Sequence, residues 1–499
     1  MLLNIDINKL LNLFKYDPAD PLLFNSSLFI FLFTGLLLLY QIVNKSNKIR
    51  IYLLIAFSMY FYYKVSGFYF LLLILSSVFN FYAGKWIFSS QDALKRKLLL
   101  VGSIVINIGV LVYFKYTNFF IQIVNDLSSS QINLLDVFLP IGISFYTFKA
   151  LSYVIDLYME NSEPEESFAN FLLYISFFPN ILAGPIDRAH MFLPQLKEKL
   201  VIPESYVGKG VLLIISGLFK KAIIADYISS NFVDRIFEMP ERFTGLENLL
   251  GVYSYALQIY CDFSGYSDIA IGIALLLGFR LMNNFDSPYQ ASSVAEFWRR
   301  WHISLSSWLL DYVFKPLQMK FRNLRTLGNA SALVITFVLC GLWHGASWAF
   351  LFWGALHGFY MAVSLFTKKP KNYIYNKLGI KNSRILRYVQ VFITFNLIAF
   401  AWIFFRANSF TTAMTVITQI FTFFHGSVIM QFIPGYPLVS LFVALGFIIH
   451  FIPKSTELKI QEYFTRTPLL GKAFILAAMI WLVIQVRSAE IQPFIYFQF

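Results

Sequence analysis

The sequence predicts an all-α, polytopic integral membrane protein with about 10–13 membrane helices, some partial or re-entrant. Three observations predict it. Charged residues make up only 13% of the 499, against about 25% in soluble domains. Hydrophobic residues make up 58%, and the mean hydropathy is +0.63. Apolar runs approaching the length of a membrane crossing recur along the whole chain. A water-exposed surface this poor in charge would aggregate, so much of the apolar surface must face lipid.

In order, the runs fall at residues 28–43, 51–63, 68–84, 98–114 and 137–157, then 168–183, 211–228, 249–277 and 332–366, and finally 389–405, 436–451 and 473–486. The 332–366 run is long enough to turn at Gly345 and cross twice. Short loops set the orientation. Lys45, Lys48 and Arg50 make one basic loop, and Lys95, Arg96 and Lys97 another, whereas 125–136 carries no Lys or Arg. The positive-inside bias then puts the basic loops, with 368–387, in the cytoplasm and the amino terminus outside. The first apolar run has no basic segment before it, so no cleavable signal peptide is expected. With no repeat, low-complexity tract or soluble segment visible, residues 1–499 read as a single membrane domain.

The net charge is +13, which in a soluble chain would suggest nucleic acid. Here the positive-inside bias accounts for it, and no nucleic-acid motif is present. Membrane lipids are the expected partners of the basic face. Among the aromatics, 56 Phe and 29 Tyr suit core packing, lipid contact and the headgroup interface. Cys261 and Cys340 sit in apolar stretches and read as small buried hydrophobes rather than a disulfide.

Ionisable groups inside membrane segments are costly, about 2.5–3.5 kcal/mol each on insertion scales, so their clusters mark candidate sites. The first is Gln258 to Asp268. Asp262 and Tyr266 are four apart and share a helix face, as do Ser264 and Asp268. Polar glue between helices and a substrate-cavity lining are both open. The second runs Glu296-Phe297-Trp298-Arg299-Arg300-Trp301-His302-Ile303-Ser304, then Trp308, Asp311, Lys315 and Lys320. Alternating charge and aromatics suit a membrane boundary, where an interfacial anchor is the plain alternative. The third is Gly341-Leu342-Trp343-His344-Gly345-Ala346-Ser347, which sets an imidazole between apolar runs with small neighbours that leave room. A hydrogen-bonded structural histidine is the alternative there. His357 reads as interfacial, and His190, His425 and His450 lack comparable surroundings. His302 and His344 lack the close spacing of metal ligands, so no metal is expected.

These motifs resemble the membrane-bound O-acyltransferase family, in the branch that acetylates alginate and D-alanylates teichoic acid. The residues 297–306 with Asp311, Tyr312, Pro316 and Leu317, and Gly341 to Gly345, are similar to its two histidine motifs. Phe177 to Ile186, Trp402 to Ala407 and Leu139 to Phe148 are similar to three more stretches, so the resemblance runs over about 139–406. The histidine motifs look closer to the alginate-acetylating type. Residues 315–327 match less well.

The resemblance implies an O-acetyltransferase with His344 as the catalytic histidine. A general base and an oxyanion stabiliser are what acyl transfer to a hydroxyl needs, and dry surroundings keep an imidazole neutral and able to accept a proton. His302 occupies the second polar position, where it would orient a reactant or stabilise charge. Trp343, Ser347, Asp262, Tyr266, Ser304 and Asp311 are candidates for channel or supporting roles, and Arg299, Arg300, Lys315 and Lys320 for docking the donor. The expected donor is acetyl-CoA or an acylated carrier protein, used as substrate with no cofactor. The expected acceptor is a hydroxyl outside the cytoplasm, on a polysaccharide or an acyl-relay protein, beside export machinery in a bacterial inner membrane. D-alanyl transfer, a transporter or flippase, and a non-catalytic scaffold are the alternatives.

Overall fold

The computed structural model describes residues 12–43, 45–128, 130–199, 201–486 and 494–495. The outward placement of the amino terminus concerns residues 1–11, which lie outside that set. All described secondary structure is helical. Among the described residues, seven helices are long and apolar enough to cross a membrane, or up to nine if each bent pair counts as one span. The bent pairs are Phe410–Thr422 with Gly426–Gly435, turning through 99°, and Pro437–His450 with Lys454–Arg466, turning through 94°. The protein is thus an all-α multi-pass membrane protein.

The chain divides into two compact units, residues 1–211 with 269–282, and 212–268 with 283–499. The first contains Asn47–Ser66, Phe70–Ser89 and the 36-residue helix Ala93–Ser128. Only 17% of the membrane-length window of Ala93–Ser128 is buried. Leu98, Val101 and Val105 stand exposed on it, the surface expected of a lipid-facing helix. The apolar runs at 137–157 and 168–183 instead become the short helices Ile143–Tyr158 and Phe168–Ser176, both buried in protein. Hydropathy cannot separate these from lipid-facing spans, because burial in protein selects the same residues. Between the two motif stretches of this unit, the buried Lys149 donates to the Tyr174 carbonyl and to Asn180 Oδ1, both at 2.8 Å. Asn180 passes a hydrogen bond to Asp187 Oδ2 at 2.8 Å.

The least apolar of the membrane-length helices, with residues 245–268 in the second unit and 269–276 in the first, is the most buried. Gly245–Leu276 has a window hydropathy of 1.2, yet 89% of that window is enclosed. Its carboxylates and hydroxyls therefore face protein. Beside it the run at 211–228 belongs to a helix broken by π turns at Phe219–Ala225 and Ser229–Val233, a local widening frequent at functional sites.

Arg325–His344 and Trp348–Lys377 pack through Gly341 and Gly354. A Cβ on Gly341 would lie 2.2 Å from the Phe350 carbonyl oxygen, and one on Gly354 would lie 2.3 Å from that of Phe337. Small residues are what let membrane helices approach so closely. Gly354→Ala is therefore expected to destabilise the purified protein by about 1–3 kcal/mol, as overpacking does, read as a lower unfolding midpoint. An unchanged midpoint would show that the helices separate at no cost.

Candidate active site

His302 stands between two short helices, Val294–Arg300 and Ile303–Leu309, and is fully buried. Its backbone is left-handed, φ 43° and ψ 55°, a conformation uncommon outside glycine and a frequent mark of functional positions. Asn284 holds the turn from both sides of its backbone and side chain. Its carbonyl oxygen accepts from Ile303 N at 2.9 Å. Its Oδ1 lies 3.0 Å from His302 Nδ1 and accepts from Ser304 Oγ at 2.9 Å. Asn284 Nδ2 donates to Ser267 Oγ at 3.1 Å, which orients the amide. With an amide oxygen facing it, His302 Nδ1 carries the proton, and Nε2 presents the lone pair. Burial pushes this imidazole down to about 3. The ring is thus neutral at any working pH and a weak proton acceptor. By linkage such a group costs stability only as pH falls below its unfolded value of about 6.5.

His344 ends the Arg325–His344 helix and is 4% exposed. Its ring meets Trp343 at 4.8 Å, Trp353 at 5.0 Å and Phe405 at 5.1 Å between centroids. Trp343 is also 6.2 Å from the His302 ring, so one indole neighbours both histidines. The next helix starts at once, capped by Ser347 Oγ, which accepts from Phe350 N at 3.4 Å. Apolar sequence on both sides with a Gly-Ala-Ser break between thus sets the imidazole at a helix end within an aromatic box.

Beyond Phe405 and Ser347 opens a cavity of about 430 Å³, which these two residues line together with Lys221, Asp226, Gln258, Asp262 and Arg406. Asp262 lies in it, ion-paired to Lys221, which also bridges to Asp226 at 2.7 Å. Arg406 pairs with Asp234 at 2.7 Å. Asp262 Oδ2 further accepts from the Ile495 backbone at 3.0 Å.

The remaining sequence candidates divide. Ser304 joins His302 on Asn284, and Tyr266 stacks on Phe494 at 4.8 Å. Asp311 pairs with the exposed Lys315 at 2.8 Å. Arg300 pairs with Glu296 at 2.8 Å. Arg299 and Lys320 are exposed, and neither forms an ion pair among the described residues. His357 is not interfacial but fully buried, where its Nδ1 accepts from Trp298 Nε1 at 3.2 Å. Large aromatics close around that pair, and the apolar spacing could not reveal it. Asn284, Lys221 and Asp226 went unmarked in the sequence. Asn284 had a signal, the polar run Asn283-Asn284-Phe285-Asp286 that follows a long apolar helix. Among the described residues no group of three or more His, Cys, Asp or Glu is placed to hold a metal.

A family model described as membrane-bound O-acyltransferase (MBOAT) matches residues 163–369. Pseudomonas aeruginosa has a relative named probable alginate O-acetylase AlgI, 34% identical over 81% of this chain and 75% of the relative. The peptidoglycan O-acetyltransferase of Helicobacter pylori is 34% identical over 79% of each. The teichoic acid D-alanyltransferase of Streptococcus thermophilus is 31% identical over 53% of this chain and 68% of the relative.

Proposed function

Since this chain belongs to the membrane-bound O-acyltransferase family, we propose that it moves an acetyl group from a cytoplasmic thioester to a hydroxyl of an extracytoplasmic polysaccharide or of an acyl-relay protein. The observation that carries this reading is a polar cavity lined by Phe405, whose ring meets that of His344, and by Ser347, three positions on from His344. A base at a dry helix end and a hydrophilic chamber beside it are what transfer to a hydroxyl requires. Relatives named for acetyl transfer match about four-fifths of the chain, against about half for those named for D-alanyl transfer, which favours acetyl. Alginate and peptidoglycan, the polymers those names carry, support a glycan hydroxyl as the acceptor. An inner-membrane setting would let donor and acceptor arrive from opposite faces.

In the proposed step His344 takes the acceptor's hydroxyl proton as its oxygen attacks the thioester carbonyl. The tetrahedral oxyanion collapses, the carbon–sulfur bond breaks, and the leaving thiolate takes the proton from the imidazolium. One ester and one thiol result, with no net change in oxidation. His302, neutral and locked by Asn284, suits a fixed hydrogen-bonding role better than proton transfer, since a base works best with a pKa near the working pH. In vesicles holding the purified chain, supplied with acetyl-CoA or an acetylated carrier protein and a soluble polysaccharide, one thiol should appear per ester formed. Thiol release with no ester from either donor would contradict the reading.

Donor docking is proposed for the basic patch, now weighted to Arg299 and Lys320, because Arg300 and Lys315 already serve Glu296 and Asp311. A phosphorylated or acidic donor is drawn to exposed cations. The Arg299→Gln, Lys320→Gln double variant should raise the donor KM severalfold with kcat and yield unchanged, and added salt should bring wild type towards it. Lipid anchoring instead would lower membrane yield and leave donor KM alone.

A further inference from the structure

The first unit carries a groove on its lipid-facing side, away from the histidines. The helices Phe70–Ser89 and Ala93–Ser128 follow one another through residues 90–92 and pack together. Further along, Asn80 and Asn107 pin them with reciprocal amide hydrogen bonds at 3.0 and 2.8 Å. Between the joint and that pin lie the small residues Ala83, Gly102 and Ser103, and they leave a cavity of about 410 Å³. A Cβ on Gly102 would meet nothing within 4 Å. Ser103 donates its hydroxyl to the Leu99 carbonyl at 2.8 Å, so it asks nothing of an occupant. From Lys95 to Ile106, both on the lining, the helix rises about 16 Å at about 1.5 Å per residue. That is half of the roughly 30 Å hydrocarbon core, the depth of one leaflet.

The two ends of the groove differ. Towards Ile106 its walls are apolar. At the other end stand Trp86, Leu94 and Leu98, each more than half exposed, and an exposed indole suits headgroup depth. Asp92 and Lys95 line that end too. The Asp92 carboxylate caps the helix, Oδ1 accepting from Leu94 N at 2.8 Å and Lys95 N at 3.4 Å. Lys95 is exposed and forms no ion pair among the described residues, whereas Arg96 beside it pairs with Glu160. We propose that this groove is a lipid site, holding one acyl chain of an anionic phospholipid whose phosphate lies against Lys95. An apolar slot one leaflet deep fits the chain, and the uncommitted cation at its mouth fits the headgroup. A zwitterionic lipid brings its own cation, so Lys95 favours it less.

Native mass spectrometry tests this without turnover. The purified chain is equilibrated in micelles with equal phosphatidylglycerol and phosphatidylcholine of matched acyl chains, and the lipids retained per chain are counted. One phosphatidylglycerol should be held, favoured over phosphatidylcholine by about fivefold, the effect of one lysine near an anionic headgroup. Lys95→Gln should bring that ratio to about one. Lys97→Gln, exposed in the same basic run but not on the lining, should leave it unchanged. Gly102→Leu puts a side chain into the open space and should abolish retention of either lipid at an unchanged unfolding midpoint. Equal retention of the two lipids by wild type would overturn the headgroup preference. An effect of Lys97→Gln as large as that of Lys95→Gln would overturn the site in favour of diffuse attraction, and a Gly102→Leu protein that still holds its lipid would overturn the groove.

Discussion

His344→Ala should lower the rate of ester formation by about 100- to 10,000-fold, the usual worth of a general base, while the protein still inserts and purifies at normal yield. The imidazole sits at a helix end, boxed by Trp343, Trp353 and Phe405. Cutting it back to a methyl opens a hole there but leaves the glycine-mediated helix contact at Gly341 and Gly354 untouched. The loss should therefore fall on kcat and spare the donor KM. His344→Asn should be as inactive, because an amide has the size and polarity of the ring but cannot take a proton at neutral pH. The check is initial-rate kinetics on detergent-purified protein matched for monodispersity. Near-normal turnover by either variant would remove His344 from the base role.

His302→Ala should cost about tenfold to a hundredfold, since a buried hydrogen bond is worth about 1–3 kcal/mol and 1.4 kcal/mol is a factor of ten. His302→Asn should recover part of that rate. Its amide can still donate to Asn284 Oδ1, the group that now receives His302 Nδ1 at 3.0 Å, and asparagine tolerates the left-handed backbone that His302 adopts. Alanine does neither, and it also leaves Asn284 with an unmet contact. The contrast with His344 is diagnostic. A dead His302→Asn together with an active His344→Asn would exchange the two roles.

Much of this was legible in the residues. The fold class followed from the scarcity of charge, and His344 stood out because it falls between two apolar runs, residues 332–340, polar only at Thr336, and residues 349–355. Asp262 was visible as a carboxylate inside an apolar run, and its i, i+4 relation to Tyr266 did put both on one helix. Their partners were not legible. Lys221 looked like an interruption of an apolar run, since its pairing with Asp262 spans forty-one positions and depends on a π turn that hydropathy does not report. Asn284 was missed for a related reason. Its work is done through one amide oxygen shared by His302 and Ser304, and an asparagine in a polar run before a proline reads as an ordinary turn. The runs at 137–157 and 168–183 looked like crossings because a helix wrapped by protein and one wrapped by lipid both need apolar side chains.

The measurement closest to the central claim is isotopic. Cells fed ¹³C-acetate, with and without this chain, are compared for base-labile acetyl esters on surface polymers and on membrane or exported proteins by mass spectrometry. Labelled esters that appear only when the chain is present, and that vanish with His344→Ala at equal membrane abundance, are the predicted result. The same ester content with and without the chain would contradict it.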